Sequence, residues 1–301
     1  MELVRDSAEH YFLNILENMK NKPTDCYGLY FSMSKALNHQ DLVSDLSQLS
    51  KKIEVARTKT DVFADELHAA LQDAFDGGIS VFKDLDIFAY VHVKDKMAKK
   101  HLEEIYKTMA GKLSKGMSDM DSFAGQFRSY QKIADEKLLS ARRLDGYEIM
   151  ADAHKISCIP ALRKRRDEPL VMVVEDDRFT AHYASSILSN DFDLVICKDG
   201  EDAVQSYIQN APDIVFLDIH LPGLNGHEVL QSIHAVDPEA FIVMLSVDSM
   251  KENIKKAEKM GAHNFIKKPF TKERLVEAVK ASPYVKALTR TDTTDSEHLF
   301  H

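Results

Sequence analysis

Glu175, Asp176 and Asp177 follow directly on an apolar run, Leu170-Val171-Met172-Val173-Val174. A run of that composition reads as a strand buried on both faces, as in a parallel sheet. The acids then sit at its carboxyl end, where open α/β sheets bind ligands. Isolated buried carboxylates are costly unless paired or metal-bound, so the cluster points to a cation site. Three more apolar runs end in a chemically useful group. Ile214-Val215-Phe216-Leu217 ends in Asp218, Phe241-Ile242-Val243-Met244-Leu245 in Ser246, and Phe265-Ile266-Lys267 in Lys268, ahead of Pro269-Phe270. Acids, an acid, a hydroxyl and a lysine thus fall at successive strand ends.

The elements that must position these groups alternate. Strands are expected at 170–175, 193–197, 213–218, 241–246 and 264–267. Helices are expected at 178–190, 201–209, 226–236, 249–260 and 271–281. Strict alternation of this kind is the mark of a parallel sheet with helices on both faces.

In order and spacing, the four motifs resemble the receiver domain of two-component response regulators, over roughly Pro169 to Ser282. The resemblance implies a flavodoxin-like (βα)5 fold with sheet order 2-1-3-4-5. It also implies that Asp218 is the phosphoacceptor, within Leu217-Asp218-Ile219-His220-Leu221-Pro222-Gly223-Leu224-Asn225-Gly226. A carboxylate can attack a phosphoryl group in line when a divalent cation neutralises the charge that gathers there. By the same resemblance, Asp176 ligates Mg²⁺ directly, Glu175 does so through water, and the main-chain carbonyl of His220 is a further ligand. Mg²⁺ retains several waters, so few protein ligands suffice. Asp177 reads as the cap of the following helix. Ser246 is expected to donate to the phosphoryl group and Lys268 to pair with another of its oxygens. The Lys268-Pro269 bond is cis in the family, and Phe265 falls at its switch position. Three departures stand out: His220 where methionine is common, Val247 where the family prefers Ala or Gly, and Asp248 at the rim.

Residues 1–160 read as an all-α helical bundle serving as an output, interaction or dimerisation domain. Its expected helices cover 8–19, 26–37, 42–75, 122–150 and 146–158. The stretch 79–109 is open between helix and a short β excursion, and 111–120 reads as a loop. Residues 161–168, with Arg163-Lys164-Arg165-Arg166, read as a charged linker, either a solvated hinge or a contact for nucleic acid or an acidic partner. The receiver is expected over 169–286 and a disordered tail over 287–301.

Composition narrows the function classes. The net charge of -9 is uneven: residues 1–168 carry 26 basic and 27 acidic side chains, net -1, leaving -8 for the rest. That disfavours nucleic acid as the partner. No stretch is long and apolar enough for a membrane span. Three dispersed cysteines (Cys26, Cys158, Cys197) fit a reducing cytoplasm. The receiver resemblance implies a sensor histidine kinase or phosphotransfer protein as donor, and the helical reading of residues 1–160 adds a protein target or a second copy of the chain as expected partners. An alternative makes residues 1–160 a histidine phosphotransfer-like domain in a phosphorelay, with His154 or His68 as the carrier. A regulated phosphatase is a further alternative, for which the sequence offers no catalytic set.

Overall fold

The computed structural model describes residues 1–19, 25–122, 127–247 and 251–288. The chain divides into two compact units, Met1–Leu42 with Gln48–Asp145, and Val43–Ser47 with Gly146–His301.

The first unit is built on a sheet, which corrects the all-α bundle expected for residues 1–160. Its elements are β1 (Glu2–Val4), α1 (Ala8–Met19), β2 (Cys26–Phe31), α2 (His39–Val43), α3 (Leu49–Leu71), β3 (Asp76–Val81), β4 (Ile87–His92), α4 (Lys96–Ala110), β5 (Ser118–Ser122) and α5 (Phe127–Met150). The strand order is β1-β3-β4-β2-β5, with β1 parallel to β3 and the other neighbours antiparallel. From β2 to β5 the path is β-α-β-β-α-β, the split βαβ arrangement. One face of the sheet packs Leu29, Phe31, Ile79, Ile87, Ala89 and Val91 against Phe63, Leu67 and Leu71 of α3 and Leu102 and Met109 of α4. The other face packs Cys26 and Phe88 against Ala8, Phe12 and Leu16 of α1 and Tyr130 and Ala134 of α5.

Two-sided cover explains the misreading. A strand buried on both faces loses the alternation that marks it in a sequence. Cys26-Tyr27-Gly28-Leu29-Tyr30-Phe31, expected as a helix, is a central strand whose aromatics suit the pleated surface. Gly28 is fitted to it, because a Cβ there would stand 2.6 Å from the Tyr130 hydroxyl. Residues 118–122, which span the end of the expected loop at 111–120 and the expected helix start at 122, instead pair with β2 along its outer edge.

The β3–β4 turn holds a buried ionic cluster. Lys137 of α5 reaches in, its Nζ 2.8 Å from Asp84 Oδ2 and also bonded to Asp86. Asp84, Asp86 and Lys137 are each 5% exposed or less. Asp86 further accepts from the Tyr30 hydroxyl, from Ser32 Oγ at 3.3 Å and from the Ser34 amide at 2.8 Å. Burial, and then the neighbouring Asp86 charge, push the Asp84 carboxyl up to about 6, with Lys137 opposing. The folded state therefore holds the Asp84 proton to higher pH than the unfolded chain does. Stability from this group is full at low pH and is lost as pH rises through about 6. Urea unfolding of Asp84→Asn should lack this fall between pH 4 and 6. An unchanged pH profile would assign the slope to another group.

The second unit opens with α6 (Ala153–Lys164) and continues through β6 (Leu170–Val174), α7 (Arg178–Leu188), β7 (Asp193–Cys197), α8 (Gly200–Asn210) and β8 (Ile214–Asp218). It then runs through α9 (Gly226–Val236), β9 (Ile242–Ser246), α10 (Lys251–Lys259), β10 (Asn264–Lys267) and α11 (Lys272–Ala281). Its sheet is parallel throughout, ordered β7-β6-β8-β9-β10. β8 and β9 are buried at every residue, as the unbroken apolar runs require.

The solvated linker expected at 161–168 is not what forms. Residues 161–164 complete α6, which continues through Pro160 where the sequence suggested a stop. Arg163 is 7% exposed and donates to Asp237 Oδ2 at 2.8 Å, to the Tyr207 hydroxyl at 2.9 Å and to the Pro212 carbonyl at 3.2 Å. Its guanidinium also lies over the Tyr284 ring, 4.1 Å from the centroid. Arg166 donates to the carbonyls of Asn210 and Ala211. Two arginines of the basic run thus bind the second unit itself, because a guanidinium satisfies several acceptors at once. Of the expected tail, residues 289–301 lie outside the described residues.

Candidate functional site

The parallel sheet brings the four strand ends together. Glu175 follows β6 and is 1% exposed, its amide donating to the Cys197 carbonyl at 2.9 Å. Asp218 ends β8 at 5% exposure, and Ser246 ends β9 fully buried. Lys268 follows β10, with its amide donating to the Ser246 carbonyl at 2.8 Å. The Lys268-Pro269 peptide is cis. Carboxylate oxygens of Glu175, Asp176 and Asp218 lie within 4.8 Å of one another, and Asp176 is exposed. The Lys268 ammonium stands 3.1 Å from Asp218 Oδ1 and 2.5 Å from Glu175 Oε2.

The electrostatics suit a cation. Burial raises the Glu175 pKa, Lys268 opposes this, and the Asp218 charge adds to the rise. Glu175 Oε2 is buried and lies against Lys268 without the alignment of a hydrogen bond. A small divalent ion between the three carboxylates would satisfy that oxygen and offset their repulsion. The Asp177 carboxylate lies outside the cluster, although the Asp177 amide donates to Glu175 Oε1 at 3.4 Å. It caps α7, accepting from the Thr180 amide at 2.8 Å.

The loop after Asp218 is held from two sides. Gly226 must be glycine, because a Cβ would stand 2.1 Å from the Asp218 carbonyl oxygen. Buried Glu201 accepts from the Leu224 amide at 3.1 Å. His220 is exposed in this loop. Phe265 is half-buried on β10, paired in register with Met244 of β9. Val247 is 65% exposed, and Asp248 lies outside the described residues.

Beside Lys268 is a cavity of about 410 Å³ lined by Phe179, Thr180, Tyr183, Val247, Pro269 and Phe270. Phe179 is 86% exposed, and Tyr183 stacks on Phe270 at 5.8 Å between centroids. Sequence reading passed over Phe179 and Tyr183. Their signal was two aromatics near the start of a helix that follows directly on the acids.

The candidate histidines are not gathered at this site. His68 is half-buried on α3, its Nε2 3.1 Å from the Met1 carbonyl oxygen, and His154 is exposed at the start of α6. The relay alternative rested on a helical bundle, and the β-sheet of the first unit removes that premise.

Comparison with known proteins covers the same residues. The family model "Response regulator receiver domain" matches residues 171–280. The chemotaxis protein CheY of Listeria monocytogenes is 37% identical over 112 residues, which are 36% of this chain and 94% of that protein. The C-terminal part of this chain belongs to the response regulator receiver family. The transcriptional regulatory protein PrrA of Mycobacterium tuberculosis is 30% identical over 129 residues, 42% of this chain and 55% of that protein. Among solved structures, the response regulator domain of Thermotoga maritima CheB is 29% identical, with 38% of this chain and 96% of that one covered and a TM-score of 0.36. The receiver domain makes the protein a two-component response regulator. Among the described residues no helix is long and apolar enough to cross a membrane.

Proposed function

We propose that Asp218 accepts a phosphoryl group in a Mg²⁺-dependent step, and that the receiver so modified controls the first unit. One observation carries the reading. Buried Glu175 and Asp218 and exposed Asp176 converge within 4.8 Å at the sheet end, with the Lys268 ammonium 3.1 Å from Asp218. Asp176, Glu175, Asp218 and the His220 carbonyl are the groups that would hold the ion, which supplies positive charge where the phosphoryl oxygens gather. An Asp218 carboxylate oxygen bonds to phosphorus while the bond from phosphorus to the donor oxygen or nitrogen breaks. Lys268 pairs with one phosphoryl oxygen and the Ser246 hydroxyl donates to another. Phe265 is half-buried on β10, in register with Met244, and we assign it the switch role.

The donor is a sensor histidine kinase or phosphotransfer protein of the cytoplasm. The apolar rim formed by Phe179, Tyr183 and Val247 is the surface on which it seats. The output runs through the first unit, read as a module that binds a protein target or a second copy of the chain.

Mg²⁺ titration tests the cation site directly. Asp176→Ala should weaken Mg²⁺ binding and slow labelling by acetyl phosphate by on the order of tenfold or more, since few protein ligands hold the ion. Matching Mg²⁺ titrations of variant and parent would make the acid pair structural.

A further inference from the structure

The first unit has a pocket of its own. It has a volume of about 470 Å³, within the range of small-molecule sites, and lies between α3 and the chain that follows β2. Leu37, Leu42, Val55 and Ala56 supply an apolar wall. Val55 still leaves 46% of its surface bare at the pocket wall.

The polar lining is one-sided. Lys51, Lys52 and Lys59 face a single aspartate, Asp41. Lys52 donates to the Asp41 main-chain carbonyl. Lys51, Lys59 and Gln48 are exposed at the pocket, with no protein counter-charge paired to either lysine among the described residues. Thr60 is 1% exposed, lines the same pocket, and its buried hydroxyl oxygen is also unpartnered. A buried hydroxyl without a partner costs free energy. Lys51, Lys52, Val55, Ala56, Lys59 and Thr60 follow the three- and four-residue spacing of one helix face, so α3 presents apolar and basic groups together.

We propose that this pocket binds a small amphipathic anion, with an apolar body against Leu37, Leu42, Val55 and Ala56 and a carboxylate or similar head toward Lys51 and Lys59. The ligand's acidic head supplies a counter-charge to the two exposed lysines. No aromatic side chain lines the pocket, so nothing there would stack a nucleobase. The site is independent of the receiver chemistry and stands whether or not Asp218 is phosphorylated.

The test is calorimetric titration of the full chain with decanoate, below its micelle threshold, and with decanol. Decanoate should saturate at one per chain and bind about tenfold more tightly than decanol, the discrimination available from two exposed lysines. Lys51→Glu with Lys59→Glu should weaken decanoate by at least about tenfold while leaving the unfolding midpoint unchanged. Ala56→Leu, which fills the cavity, should weaken both probes. Absence of saturable binding, equal affinity for decanol, or indifference to the lysine reversals would each overturn the proposal.

Discussion

Asp218→Asn should take up no phosphoryl group from acetyl phosphate or from a kinase, a complete loss and not a reduced rate. The amide keeps the shape of the side chain and removes the anionic oxygen that must bond to phosphorus. The fold should survive the change. Asp218 adds to the repulsion that raises the Glu175 pKa, so removing its charge relieves a buried like-charge contact. Lys268 keeps Glu175 Oε2 as an anionic neighbour at 2.5 Å. The variant is therefore expected to unfold at the same denaturant concentration as the parent or a higher one. Intact-mass spectrometry after incubation with acetyl phosphate and Mg²⁺ would show a phosphate adduct on the parent only. An adduct of equal yield on the variant would remove Asp218 from the reaction.

The largest stability effect is expected far from that site. Lys137→Met should destabilise the first unit by about 3–5 kcal/mol at neutral pH, the usual penalty for stranding buried charges whose partner is removed. Asp84 and Asp86 would be left side by side at 5% and 1% exposure, with no cation between them. Tyr30, Ser32 and the Ser34 amide would remain as donors to Asp86, and these are neutral groups. Urea unfolding followed by circular dichroism measures the loss. Adding Asp84→Asn and Asp86→Asn to the same chain should recover part of it, because the stranded charge would then be gone. A single variant as stable as the parent would mean that water or a rearranged side chain compensates the carboxylates.

The receiver was legible because its physics is local. Each of its core strands is covered by helices on both faces, so each appears as an unbroken apolar run. Three of these runs end in one conspicuous polar group, Glu175, Asp218 or Ser246, and Lys268 follows the partly exposed edge strand β10. A parallel sheet aligns the ends of its strands, so groups at successive run ends must converge. Gly226 could likewise be placed in the motif before its reason was visible, which is the closeness of the Asp218 carbonyl.

Nothing local distinguishes the corresponding features of the first unit. β2 carries tyrosines and a glycine among its apolar residues, so its doubly covered surface imitates a helical period. Asp84 and Asp86 have the composition of a solvated turn, and Lys137 that of the outer face of an amphipathic helix. They are buried only because α5 crosses the sheet where β3 turns into β4. Arg163 stands in a run of basic residues that reads as a hinge, yet its position beside Asp237, Tyr207 and Tyr284 depends on partners 44 or more residues away in the chain. The sequence alone determined which strand ends bring acids, a hydroxyl and a lysine to one edge of the parallel sheet. The tertiary structure decided which charges outside that site are buried, because burial of a charge depends on what distant segments place around it.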